Sequence, residues 1–232
     1  MEKSKVIEKL FFNIVIVSYL LIPLSIGFLF FKNQGITKIP KSLLVYGFAF
    51  FLLLLFYSSV PTRLSKYYQS IYTFLEYFFF AYFFYFNINS RKFRRFIIFA
   101  SSCFLVFQIL YLATVKVRRL DSIPIGIETI LLLIYIIYFF LEFAKKDATN
   151  YIYNHYCFWL AIGVLIYLGG SFFFYMLIDH LNKEEVITFG NLTFLAEFVK
   201  NVLFSAAAFI YIRSPLSNSQ SQNKSVPYLD LI

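Results

Sequence analysis

The sequence predicts an all-α polytopic integral membrane protein, a bundle of seven transmembrane helices. Three observations carry that prediction. The 232 residues are 60% hydrophobic with a mean hydropathy of +0.73, and a soluble domain of this size would expose too much apolar surface to stay dispersed. Seven apolar runs follow one another, several of them of about 18 residues or more, the length a helix needs to cross a bilayer. The formal charge of +9 lies in short basic clusters between those runs, which is the pattern of topology signals and not of a nucleic-acid surface.

The first run, residues 8–31, follows a basic start with Lys3, Lys5 and Lys9, and Pro23 predicts a kink within it. A cleavable signal peptide is the rival reading. The apolar stretch is too long for that, and no small-x-small cleavage site follows, so it reads as a spanning helix. The second run covers 41–59, the third 67–88, the fourth 93–114 and the fifth 123–144. The fifth opens on DSIPIG, with Asp121 or Ser122 as N-cap and Pro124 in the first turn, where a missing N–H does no harm. The sixth run is 153–178, where Gly163 and Gly170 share one face and predict a close-packing seam. The seventh is 188–212. Residues 1–213 thus form one seven-helix transmembrane domain, and the Ser/Asn/Gln-rich stretch 214–232 reads as a polar, disordered tail. Short loops make consecutive helices antiparallel neighbours.

Ionisable groups within spans are costly, roughly 2.5–3.5 kcal/mol each, so those present need a reason. They are Glu76 in run three, Glu128 in run five, and Glu197 with Lys200 in run seven. The three glutamates fall early in odd-numbered helices, which all run in one direction, so they share one half of the bilayer. Asn13, early in run one, and Gln108 and Tyr175, late in runs four and six, reach the same level, as do Ser58, Ser59, Asp179 and His180. Asn201 adds an amide to the Glu197 and Lys200 turn. These residues are the candidate ligand-binding pocket: Glu76, Glu128, Glu197, Lys200, Asn201, Gln108, Asn13 and Tyr175. Clustered carboxylates repel, so at least one is expected to be protonated, hydrogen-bonded or paired with Lys200. The blander reading is interhelical glue, with Glu197 and Lys200 neutralising each other along one helix.

Other chemistry leaves no mark. His155 and His180 sit at opposite ends of run six, about 37 Å apart at 1.5 Å per residue, too far to share a metal. Cys103 and Cys157 are isolated in apolar runs and read as small buried hydrophobes. There is no HExxH, GxSxG, Walker or GxGxxG pattern. No catalytic residue, metal or cofactor is therefore expected. Lys200 is the one lysine placed for a Schiff base, but Glu197 gives it an ordinary ion-pair role. Asn191-Leu192-Thr193 matches a glycosylation sequon, a pattern common by chance.

Run six reads FWLAIGVLIYLGGSFFFYML, with Phe158, Trp159, Gly163, Ile166, Tyr167, Gly169, Gly170 and Ser171, and run seven contains KNVLFSAAAF. These stretches, with an acid in runs three and five, resemble the membrane region that precedes the kinase domain of some Bacteroidetes sensor histidine kinases. The resemblance implies a sensor in the bacterial inner membrane and brings no known ligand. The sequence ends 19 residues after residue 213 without a kinase domain, so a sensor would need a separate partner.

Orientation follows from Lys and Arg near the run ends. One side carries nine and the other eleven, the latter including the RKFRR cluster at 91–95, so the N-terminus is expected outside and the C-terminus inside. The function expected is a sensor or adaptor that binds a small ligand or partner in the polar pocket and relays it through helix packing. Its partners would be membrane lipid and a separate signalling or membrane protein docked on 214–232. The alternatives are a small proton- or cation-coupled transporter and an intramembrane enzyme using the carboxylates.

Overall fold

The computed structural model describes residues 2–30, 38–57, 59–61, 64–114, 122–146, 155–178 and 180–213. Among them are eight helices: α1 (Glu2–Ser18), α2 (Leu21–Phe30), α3 (Lys38–Tyr57), α4 (Ser65–Asn87), α5 (Arg91–Thr114), α6 (Ser122–Lys146), α7 (Tyr156–Leu177) and α8 (Lys183–Arg213). The expectations for Ser58, Asp121, Asp179 and the tail 214–232 lie outside the described residues.

The eight helices make seven rods, because α1 and α2 are two halves of the first run. The interruption falls at Tyr19 and Leu20, one turn before the kink expected at Pro23. The reason is local. Pro23 has no N–H for the carbonyl of Tyr19, and its ring crowds that carbonyl, so the helix breaks four residues upstream of the proline. Leu20 N turns back to Val17 O at 3.0 Å, and the ladder restarts with Leu24 N to Leu20 O at 3.0 Å. Gly47 of α3 admits the bend. A Cβ there would lie 2.7 Å from Pro23 Cδ and 3.0 Å from the freed Tyr19 carbonyl oxygen.

Among the described residues, five stretches are long and apolar enough to cross a membrane: Lys9–Gly27, Arg91–Thr114, Ile123–Lys145, Tyr156–Leu177 and Glu184–Tyr211. This is fewer than the seven spans expected. The apolar part of α3, Lys41–Tyr57, is shorter. α4 spans 23 residues, but six of them are tyrosines, which lower its hydropathy. The tyrosines go with its central place: Tyr77, Phe80, Ala81, Phe83 and Phe84 are buried.

α8 is the spine. It pairs most extensively with α7 and also packs on α1 and α2, while α6 bridges α7 and α4, and α5 lies against α4. The seam expected from Gly163 and Gly170 forms: a Cβ at Gly163 would meet Phe204 at 3.1 Å, and one at Gly170 would meet Ala196 Cβ at 2.4 Å. α8 starts five residues before its apolar run because of a capping box. Asn182 Oδ1 accepts from the N–H groups of Glu184 and Glu185 at 3.1 and 2.9 Å, and Glu185 Oε2 accepts from Asn182 N at 2.9 Å. At the head of α7, His155 Nδ1 caps Cys157 N at 3.4 Å.

Candidate functional site

Glu197, Lys200 and Asn201 occupy one turn of α8 and point into the bundle, with exposures of 6%, 0% and 0%. The close seam with α7 puts this turn beside Tyr167. On α4, Tyr72, Glu76 and Phe80 are spaced by four and so lie on one face. Tyr19 arrives from the α1–α2 break, and Tyr46 from α3.

These residues enclose the Lys200 ammonium. Its Nζ is 3.4 Å from Glu76 Oε1 and 4.0 Å from Glu197 Oε1, and it donates to the Tyr19 hydroxyl at 3.2 Å. The pairing across helices is thus tighter than the pairing along α8. Tyr19 in turn donates to Glu197 Oε1 at 2.5 Å, Tyr72 donates to the same oxygen at 3.0 Å, and Tyr167 donates to Glu76 Oε2 at 2.8 Å. Nζ lies 4.0 Å from the centre of the Tyr167 ring and 5.3, 5.6 and 5.7 Å from those of Tyr19, Phe80 and Tyr46. Desolvated cation–π contacts of this kind add to the ion pairs. Asn201 is fixed too. Its Nδ2 donates to Ser18 Oγ at 2.8 Å, while Ser18 spends its own proton on Val15 O at 2.7 Å. Ser18 can therefore only accept from Asn201, which sets the amide orientation and leaves Asn201 Oδ1 buried without a partner.

The remaining candidates divide. Glu128 is 4% exposed and lies within electrostatic reach of Glu76 and Lys200, yet its Oε1 has no hydrogen-bond partner. Tyr175 sits partly buried at the rim, where it feels Glu197 and Glu76. Gln108 is buried but is not brought to Lys200: its Nε2 donates to Ser70 O at 2.7 Å and Ser70 Oγ at 2.8 Å, tying α5 to α4. Asn13 is exposed on the outer face, in a groove of about 710 Å³ that also takes in Lys9, Val17, Ser18 and Phe198. The groove reaches the cluster only through the Ser18–Asn201 hydrogen bond. Among the described residues, no group of three His, Cys, Asp or Glu side chains could hold a metal ion.

Sequence reasoning missed Tyr19, Tyr72 and Tyr167 as members of the cluster. In a chain with 19 tyrosines they carry no distinguishing mark. The signal that does exist for Tyr19 is its place four residues before Pro23.

The assembly is a charged centre without bulk water. With Glu76, Glu197 and Lys200 all ionised it carries one excess negative charge, spread over oxygens that three phenols also serve. Comparison of the chain with protein families, with characterised proteins and with solved structures gives no match.

Proposed function

We propose that the chain is a multi-pass protein of the bacterial inner membrane, N-terminus outside and C-terminus inside, and that it acts as a sensor or adaptor. A small ligand or partner acts on the polar centre around Lys200, the helices repack, and a separate signalling or membrane protein reads the change through residues 214–232. The membrane part of this reading is supported by the outward apolar face of α5, where Phe99 is 68% exposed and Ile98, Val106, Ile109 and Leu110 more than half exposed.

One observation carries the sensor part. The fully buried Lys200 is held by groups from α4, α7, α8 and the α1–α2 break, so whatever changes its charge balance acts on four elements together. The test uses spin labels at exposed Val17 on α1 and Val202 on α8. Glu76→Gln should loosen the hold on Lys200 and change that distance, and deleting 214–232 should release a copurifying membrane partner. An unchanged distance would count against the reading.

The interrupted first run favours a second reading, a small proton- or cation-coupled transporter. Helices broken beside a buried charge are a recurring feature of such proteins. Substrate flux into proteoliposomes, abolished by Glu128→Gln, would select it.

A further inference from the structure

We propose that Glu128 is a proton-exchange site: the ligand that the polar centre takes up and releases is a proton, held on the Glu128 carboxyl. This rests on the sensor reading above and names the ligand class of its site.

Charge balance singles out Glu128. Three buried carboxylates, Glu76, Glu128 and Glu197, face one buried ammonium, Lys200. Glu76 and Glu197 consume that ammonium and the Tyr19, Tyr72 and Tyr167 hydroxyls. Glu128 receives nothing: it is 96% buried and its Oε1 is unpartnered. An isolated carboxylate charge in such a place is strongly unfavourable, so the group requires a positive partner. The neighbouring orphan has the same polarity. Asn201 Oδ1, its orientation fixed by Ser18, is also an acceptor that lacks a donor. The Tyr46 hydroxyl is also buried without a partner, so the centre keeps one unused donor, but none reaches Glu128.

The groups facing Glu128 are Glu76 and Tyr77 from α4, Tyr175 from α7 and Lys200 from α8. The basic residues of α5, Arg91 to Arg95, lie at its far end, the end where Asn89 N donates to Glu142 Oε2 of α6 at 3.0 Å. Glu142 is fourteen residues from Glu128, about 21 Å along the axis. Lys200 is therefore the one cation among these facing groups, and it is already engaged.

A proton needs no void beside the carboxyl that binds it. Access is short, because Glu128 is six residues from the start of α6 at Ser122, about 9 Å along the axis. In the protonated state the carboxyl carries no charge and supplies one donor. When water takes the proton, a second uncompensated negative charge appears beside Glu76 and competes for Lys200. The ammonium then has reason to leave its present partners, and the helices they belong to move with it.

The test is infrared difference spectroscopy of the full chain in nanodiscs across a pH step. A protonated-carboxyl C=O band that disappears at high pH in the wild type and is lost in Glu128→Gln is the expected result. Glu128→Gln keeps the shape of the neutral acid, so the fold should persist. A band unchanged in Glu128→Gln, or no such band in the wild type, overturns the proposal. Ethylammonium chloride at fixed pH supplies a second arm. If it raises the melting temperature of the wild type beyond an equal concentration of sodium chloride, and does so only with Glu128 present, the ligand is an organic cation and the proton is rejected. The Val17–Val202 distance separates this inference from the sensor reading. A band that behaves as expected with a distance independent of pH keeps the proton site and removes the sensor. A distance that follows pH equally in Glu128→Gln keeps the sensor and removes the proton site.

Discussion

Two polar centres lie inside this bundle and are built on different principles. Around Lys200 the groups are charged, and six side chains from four helices and the α1–α2 break converge on one ammonium. On the other side of α4 the groups are neutral and tied in pairs. Tyr77 shares hydrogen bonds of 2.9 Å with Ser101 of α5 and with Tyr135 of α6, and Gln108 is served by Ser70 alone. A neutral amide can leave one atom unpaired, as Gln108 Oε1 is, at a cost far below that of an unpaired charge. A buried charge needs partners on every side, so only the charged centre requires a broken helix, a glycine seam and aromatic faces to be arranged together.

That contrast can be broken experimentally, and the largest effect should come from the charge itself. Lys200→Met leaves two buried carboxylates without their cation and should cost about 3–5 kcal/mol, read as a fall in melting temperature in detergent. Adding Glu76→Gln and Glu197→Gln to it should restore most of the loss, since the penalty comes from unpaired charge and not from lost packing. Next comes the seam. Gly170→Ala forces a methyl against Ala196 and should cost about 1–3 kcal/mol. It also moves α8 away from Tyr167, so it should be non-additive with Lys200→Met and additive with a substitution at Gln108. The neutral centre should respond least. Gln108→Leu should cost about 1–2 kcal/mol, and Tyr135→Phe about 0.6 kcal/mol, the usual worth of a hydrogen bond between membrane helices. A loss at Gln108 as large as that at Lys200 would erase the distinction.

The same contrast explains what could be read in the sequence. Run boundaries and the depth of each polar residue follow from counting along a helix, so the rods and the shared level of Glu76, Glu128 and Glu197 were legible. Azimuth was not. Asn13 and Ser18 belong to one helix, but five residues turn the face by about 140° at 3.6 residues per turn, which sends Asn13 outward while Ser18 meets Asn201. Gln108 has the expected depth and faces Ser70. Which face turns inward depends on neighbours that one helix does not specify. The tyrosines were hidden for another reason: a phenol scores as aromatic packing until a carboxylate is placed beside it. The start of α8 was missed because its capping box lies among polar residues, outside the apolar signal that located the run.

The break at Tyr19 and Leu20 also acts as a fulcrum. α1 extends 17 residues from it, so a rotation of about 5° there would swing the far end by roughly 2 Å at a rise of 1.5 Å per residue. The phenol next to that pivot is wired to Lys200. A shift of the ammonium by a fraction of an ångström would therefore be delivered where the rod is weakest and appear, enlarged, at the start of α1.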